Sequence, residues 1–374
     1  MQVWHYTCER CGHIEPADTA LWRCPVCGGA FALVGDNDLA GATIETQDTT
    51  LWRYCHVLPA NRDSAVSLGE GMTPLIRGEI AGREVWFKHD ALLPTGSFKD
   101  RGAAVLVTHL RSLGIQRVVV DSSGNAAAAM AGYCAAAGLE CLVFAPRATS
   151  PGKLVQSRAF GAQVHLVSGS RDDVARAAQD AAAADQGAFY ASHNWHAVFV
   201  EGVKTWAIEV WEQLGRRSPA LAVVPTGGGS AFVGGWRGFQ AVPSRLPVLV
   251  AAQPLACAPL VAAFDAGLTD VAPVAPGTTI AEGTRIGAPA RGRQMLAALR
   301  ESGGWAEAVD ETTLAATLKE LWAQGLYVEP TAAVGAAAFR LAVERGRALP
   351  EGETVILLTG SGLKATETIS SLVD

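Results

Sequence analysis

Six lysines occur in 374 residues, and one of them, Lys99, lies in Pro94-Thr95-Gly96-Ser97-Phe98-Lys99-Asp100-Arg101-Gly102. The Pro/Gly turn delivers Ser97 as a helix N-cap, which predicts Lys99 in the first helical turn. A cation is disfavoured at a helix N-terminus. The amine is thereby held toward its neutral, nucleophilic form, as a Schiff-base lysine requires. Taken alone, the nonapeptide fits equally well an ordinary solvated helix start, with Asp100 and Arg101 as surface charges.

Three further loops carry chemistry. Asp121-Ser122-Ser123-Gly124-Asn125 feeds the helix predicted for Ala126–Ala137; such a turn suits a carboxylate, although by itself it also reads as a simple helix cap. In Pro225-Thr226-Gly227-Gly228-Gly229-Ser230, three glycines let successive N–H groups aim at one centre, with the Thr226 and Ser230 hydroxyls beside them. That arrangement suits a phosphate monoester, and it lacks the Gly-Lys-Ser/Thr of a nucleotide loop. In Leu358-Thr359-Gly360-Ser361-Gly362-Leu363-Lys364, Thr359 stands at a strand end. All four loops fall at C-terminal ends of predicted strands, where α/β sheets bind ligands. A Schiff-base lysine, a carboxylate turn, a phosphate cup and a hydroxyl partner together match pyridoxal phosphate holding an amino acid.

The fifth motif is Cys8-x2-Cys11-x12-Cys24-x2-Cys27. Two thiolate pairs at this spacing can close tetrahedrally on one Zn²⁺, and Gly12 and Gly28-Gly29 follow the pairs where the chain must turn. The alternatives are a ribbon that has lost its metal, or a redox pair, for which no thioredoxin-like context follows. Residues 1–34 hold Arg10 and Arg23 against Glu9, Glu15 and Asp18. The module is therefore not basic, and a folding or packing accessory is expected rather than a nucleic-acid binder.

The elements that must carry these loops are legible from residue 71 onward. Predicted strands are 84–88, 117–121, 139–145, 163–167, 189–191, 221–225, 247–252 and 354–359. Predicted helices are 98–113, 125–137, 153–160, 172–184, 200–214, 231–239, 311–324 and 331–345. Strands separated by helices indicate βαβ units and parallel sheets covered on both faces. Residues 35–70 show no period and read as an extended arm. The apolar stretch Ala126–Ala145 is read as a buried helix and strand divided at Gly138, not as a membrane span, which needs about 20 uninterrupted apolar residues.

On these motifs the sequence resembles the threonine synthase-like group of fold-type II pyridoxal-phosphate enzymes, the tryptophan synthase β superfamily. The resemblance runs from about Gly69 to Lys364. It rests on Gly69-Glu70-Gly71-Met72-Thr73-Pro74-Leu75, Ser97 to Gly102, Ser123-Gly124-Asn125, Pro151-Gly152-Lys153-Leu154, Glu201-Gly202-Val203-Lys204-Thr205, the 226–230 loop, Glu329-Pro330 and Thr359 to Lys364. It implies an α/β fold of two open parallel-sheet domains with pyridoxal phosphate in the cleft, plus an N-terminal zinc-ribbon-like module. The expected division is 1–34 for that module, 35–108 with 205–374 for the large cofactor-binding domain, and 109–204 for a small mobile domain. By resemblance, Lys99 carries the cofactor, Asn125 contacts its 3′-oxygen, Thr226, Gly227, Gly228, Gly229 and Ser230 hold its phosphate, and Thr359 faces the ring nitrogen. Ser122, Ser123, Gly124, Asn125 and Ala126 receive the substrate carboxylate. Glu282 is a candidate near the ring, and an exposed loop acid is an equal reading. His193, Trp195, His196 and Trp206 are read as packing or substrate-domain contacts without chemistry.

Three positions depart from the threonine synthase pattern. Gly-Gly-Gly-Ser replaces Asn-Ala-Gly-Asn in the phosphate loop, Ala126 stands where a Thr is usual, and Phe199 or Val200 occupies the place of an Arg before Glu201. The last two remove groups expected to hold a second phosphate, and a dianion buried without cations is costly.

The expected activity is a lyase or synthase that abstracts the α-proton of a small amino acid and eliminates or replaces at Cβ or Cγ, threonine synthase-like. Alternatives are a β-replacing synthase, a serine/threonine dehydratase, or a non-catalytic relative that uses its ribbon for partner or nucleic-acid binding. The formal charge of −6 disfavours nucleic-acid and anionic-membrane partners. The first six residues lack a basic start and an apolar run. A cytoplasmic homodimer with a small amino-acid substrate is the expectation.

Overall fold

A computed structural model describes residues 4–373; the first three residues of the 1–34 module lie outside the described part. Strands β1 (His5–Cys8), β2 (Ile14–Pro16) and β3 (Phe31–Val34) open the chain. They form a small antiparallel sheet in the order β2-β1-β3. Next come β4 (Leu75–Ile80), β5 (Arg83–His89), α1 (Lys99–Ser112), β6 (Arg117–Asp121), α2 (Asn125–Ala137), β7 (Glu140–Pro146), α3 (Pro151–Ala159), β8 (Gln163–Val167), α4 (Arg171–Ala183) and β9 (Ala188–Tyr190). Helices α5 (Ala197–Val203) and α6 (Thr205–Gln213) precede β10 (Leu221–Pro225), α7 (Ser230–Ala241), β11 (Val248–Pro254) and α8 (Pro259–Asp265). The chain ends with α9 (Gly292–Glu301), β12 (Trp305–Val309), α10 (Glu311–Ala323), α11 (Pro330–Glu344), β13 (Thr354–Leu358) and α12 (Thr366–Val373).

The chain divides into two compact units. The first takes the chain up to Gly71 and Lys99–Val203; the second takes Met72–Phe98 and Lys204 onward. The first unit holds the small sheet and a parallel sheet ordered β8-β7-β6-β9. The second holds a sheet ordered β12-β11-β10-β13-β5-β4, parallel except for the β4–β5 edge hairpin. Central strands are buried on both faces, which is why Leu221–Pro225 and Thr354–Leu358 read as apolar runs rather than alternating ones. Leu314, Leu318, Leu321 and the Ala-rich α11 cover the second sheet.

This division differs from the expected one: 35–71 and 99–108 belong with the first unit. The reason lies in buried polar ties that no sequence period reveals. Glu70 accepts from the Tyr133 hydroxyl at 2.8 Å and from the Leu68 N–H at 2.8 Å. Val66 N–H donates to Thr108 Oγ1 at 2.9 Å. The arm is thus pinned to α1 and α2 rather than extended, and it folds into short 3₁₀ turns at Leu51–Val57 and Arg62–Ser64. The helix expected across 200–214 is two helices, broken before Thr205, where the chain passes from the first unit to the second. The apolar 126–145 stretch is a helix and a strand, with Gly138 as a left-handed C-cap at φ 69°. No helix among the described residues is long and apolar enough to cross a membrane.

Candidate active site

In the first unit, Lys99 is the first residue of α1. Asp100 and Arg101 are fully buried, which rejects a solvated helix start with surface charges. Ser97, two residues earlier and in the second unit, does not cap the helix. It pairs in a β-bridge with Gly360 of that same unit, and its hydroxyl is buried without a partner. The bridge takes the backbone geometry that a cap would need. The Lys99 ammonium lies 5.7 Å from the centroid of the buried Phe199 ring.

The parallel strands β6 and β9 are neighbours, and both end at the same sheet edge. From β6 the chain turns through Ser122, Ser123 and Gly124 into Asn125, the first residue of α2; all four are half-buried, while Ala126 is buried. Asp121, buried at the end of β6, binds Arg171 through its carboxylate at 2.7 Å and its carbonyl at 2.7 Å. From β9 the chain reaches His193 and His196. Burial, then the charges of Lys99 and Arg171, hold His193 well below the usual imidazole range. His196 is locked in packing: its Nδ1 accepts from Val198 N–H at 3.2 Å, and its ring meets Tyr6 and Phe189. His196 is the packing residue the sequence suggested. His193 is the more open of the two, and no local spacing pointed to it, because its neighbours come from α1, α4 and α5.

In the second unit, β10 and β13 are parallel neighbours. β10 runs into Thr226–Ser230 and α7, and β13 runs into Thr359. Thr226 has both its donors engaged, its N–H to Ala252 O at 2.8 Å and its hydroxyl to Val224 O at 2.8 Å. It therefore anchors the loop. The N–H groups of Gly227, Gly228 and Gly229 meet no acceptor among the described residues. A Cβ at Gly227 would fall 2.8 Å from Thr284, and one at Gly229, where φ is 99°, would fall 2.8 Å from Met295. Only glycine fits this cup. Ser230 is buried at the start of α7, where the helix dipole favours an anion. Thr359 is buried and its hydroxyl has no partner; an orphaned hydroxyl of this kind costs free energy unless a ligand takes it. Cup and hydroxyl thus fit a phosphate-bearing cofactor with a ring nitrogen. Phe98 N–H donates to Thr359 O at 2.9 Å, and Glu329 N–H to Gly360 O at 3.0 Å, so two motifs of the sequence hold the Thr359 segment. Glu282 is exposed, beside Gly283 and Thr284, which pack on the cup.

The cysteines converge. One sulfur from each of Cys8, Cys11, Cys24 and Cys27 lies within 4.8 Å of the others, with Cys8 and Cys27 sulfurs 3.4 Å apart and those of Cys11 and Cys24 3.7 Å apart. Four thiols at these spacings suit a tetrahedral metal ion.

The family model described as pyridoxal-phosphate dependent enzyme matches residues 66–360. The protein is 32% identical to the threonine synthase of Methanocaldococcus jannaschii over 96% of this chain and 92% of that one. It is 31% identical to the threonine synthase of Methanosarcina acetivorans over 98% and 94%. Among solved structures, a bacterial-strain threonine deaminase, from T.th., matches at 26% identity with a TM-score of 0.65, over 77% of this chain and 92% of that one. Maize serine racemase, at 22% identity and a TM-score of 0.70 over 80% of this chain and 91% of that one, shares the fold. With nearly four-fifths of its length inside the family model and full-length relatives above 30% identity, the chain belongs to the pyridoxal-phosphate dependent enzyme family.

Proposed function

We propose that the protein is a threonine synthase-like lyase or synthase that abstracts the α-proton of a small amino acid and eliminates or replaces its substituent at Cβ or Cγ. The observation that carries this reading is the near full-length match to proteins named threonine synthase. In the first unit we assign Lys99 to carry the cofactor and move the Cα proton. We assign Asn125 to the cofactor's 3′-oxygen and the backbone of Ser122, Ser123, Gly124, Asn125 and Ala126 to the substrate carboxylate. In the second unit we assign Gly227, Gly228, Gly229 and Ser230 to the phosphate, Thr226 to holding their loop, and Thr359 to the ring nitrogen. Pyridoxal phosphate, when bound, supplies the electron sink for the Cα–H bond pair. A hydroxyl at the ring nitrogen, in place of a carboxylate, leaves that nitrogen less protonated and suits elimination rather than transamination.

A second reading, a serine/threonine dehydratase, is favoured by the match to threonine deaminase; a β-replacing synthase shares its first half-reaction. In either case we take the protein as a cytoplasmic homodimer without nucleic-acid or membrane partners, with a structural Zn²⁺ on Cys8, Cys11, Cys24 and Cys27. The net charge of −6 supports the absence of nucleic-acid and membrane partners, and the four converging thiols support the metal.

The test has two arms. Borohydride reduction of the holoenzyme followed by peptide mapping should label Lys99; a label on Lys204 or Lys364 overturns the assignment. Steady-state assays should then separate the reactions: threonine and phosphate from O-phosphohomoserine mark a threonine synthase, and a keto acid with ammonia from serine or threonine marks a dehydratase. Absence of either product from the labelled enzyme refutes the threonine synthase-like reading.

A further inference from the structure

Two residues of the first unit flank one ring. The Lys99 ammonium lies 5.7 Å from the Phe199 centroid, and the His193 ring lies 6.0 Å from it, tilted at 63°. Phe199 is fully buried, so it is a fixed apolar wall on α5. His193 is half-buried in the turn after β9, at the sheet edge that also bears the 122–126 turn. We propose that His193 is the substrate-facing specificity residue of this unit: beside Phe199, its ring nitrogens hydrogen-bond the side-chain oxygen of the amino acid, and the pair favours a hydroxyl or carboxylic ester over a phosphate ester.

The inference rests on the reading of Lys99 as the cofactor-bearing lysine. Three features carry the step beyond it. First, the imidazole and the lysine share a wall, so a substrate group near Lys99 meets His193. Second, the charged groups around His193 oppose its protonation. Burial, Lys99 and Arg171 all favour the neutral ring, and the Arg171 charge is matched by the buried Asp121 carboxylate at 2.7 Å. A neutral imidazole offers one donor and one acceptor, which suits a hydroxyl or ester oxygen. Third, a phosphate dianion in a closed site needs fixed cations or several convergent donors, and Phe199 presents an apolar ring face. His196, three residues on, is fully engaged in packing and leaves His193 as the more open member of the pair.

The test compares holoenzyme of wild type, His193→Leu and His193→Asn on serine, O-acetylserine and O-phosphoserine, with the borohydride label on Lys99 and the melting temperature as controls. Wild type should bind serine or O-acetylserine at least about tenfold more tightly than O-phosphoserine, read from the absorbance shift on addition. His193→Leu should weaken the preferred ligand about tenfold through KM with kcat less affected, and His193→Asn should restore part of it. The imidazole resonance of His193 in the apo protein should show no titration near pH 6.5. Tighter binding of O-phosphoserine by wild type, or His193→Leu affinities within about twofold of wild type, overturns the proposal. A missing label on Lys99 instead overturns the cofactor assignment on which it rests.

Discussion

At the scale of single residues, two hydroxyls of the same type have opposite fates. Thr226 is satisfied by Val224 O, whereas Thr359 is buried with none. A Thr359→Val substitution keeps the shape and removes the orphan. The apo protein should keep or slightly raise its stability, because an unmet buried hydroxyl costs about 1–3 kcal/mol. Pyridoxal phosphate affinity should fall, by about fivefold if one ordinary hydrogen bond of about 1 kcal/mol is lost. Equilibrium titration of the apo protein measures it, and an unchanged affinity removes Thr359 from the site. Both threonines were equally legible in the sequence as strand-end residues. What set them apart was a backbone carbonyl two residues back, which no spacing encodes. Asp100 and Arg101 teach the same point: the motif held the lysine, but whether its neighbours were solvated depended on what packs over them.

At the scale of elements, the central parallel strands and the helices between them followed from apolar runs and Ala-rich periods, often to the residue, as in 117–121, 163–167 and 221–225. The strands of the small sheet, together with β4, β12, α8, α9 and α12, did not. They are short, or half-exposed, or lean on neighbours for their apolar face: β2 is exposed along most of its length, and β4 is an edge strand. Helix α1 carries a further consequence. His109, near its C-terminal end, is buried against Tyr6, whose hydroxyl lies 3.4 Å from Nε2. Burial lowers its pKa from 6.5 to about 4. Between these two values the unfolded chain binds the proton that the folded chain refuses. This contribution to stability is therefore complete above pH 6.5 and is lost as the pH falls toward 4. At about pH 5 the loss amounts to about 2 kcal/mol relative to about pH 8, and His193 adds in the same direction. Urea midpoints at about pH 8 and about pH 5 should differ by more in the wild type than in His109→Gln. Equal differences would show that His109 does not carry the effect.

At the scale of the whole molecule, the cysteine module is built into the first unit rather than tethered to it, a relation the sequence left open because its spacing describes only the module. Trp22 packs edge-on against Tyr190 and Trp195 with centroids 4.8 and 5.7 Å away, and Tyr6 stacks on Phe31 at 5.2 Å while facing His196 at 6.1 Å. Trp22 joins the apolar cluster of Val119, Phe144, Val174 and Tyr190. A metal on the four sulfurs would fix the turns that present Tyr6 and Trp22, so its free energy would be shared with this unit. The contact on α1, however, is at His109, about ten residues and about 15 Å along the helix from Lys99. Metal loss should therefore loosen the unit without dislodging the cofactor end of the helix. One Zn²⁺ per chain is expected, with a tetrahedral spectrum on Co²⁺ substitution. Cys8→Ser should release the metal and lower the melting temperature, while borohydride still labels Lys99 and the cofactor band persists. If the band disappears together with the metal, the ribbon holds the site directly and the length of α1 does not insulate it. If all four thiols titrate freely in the folded protein and no metal binds, the module is an apolar wedge that stabilises the unit through Trp22 and Tyr6 alone.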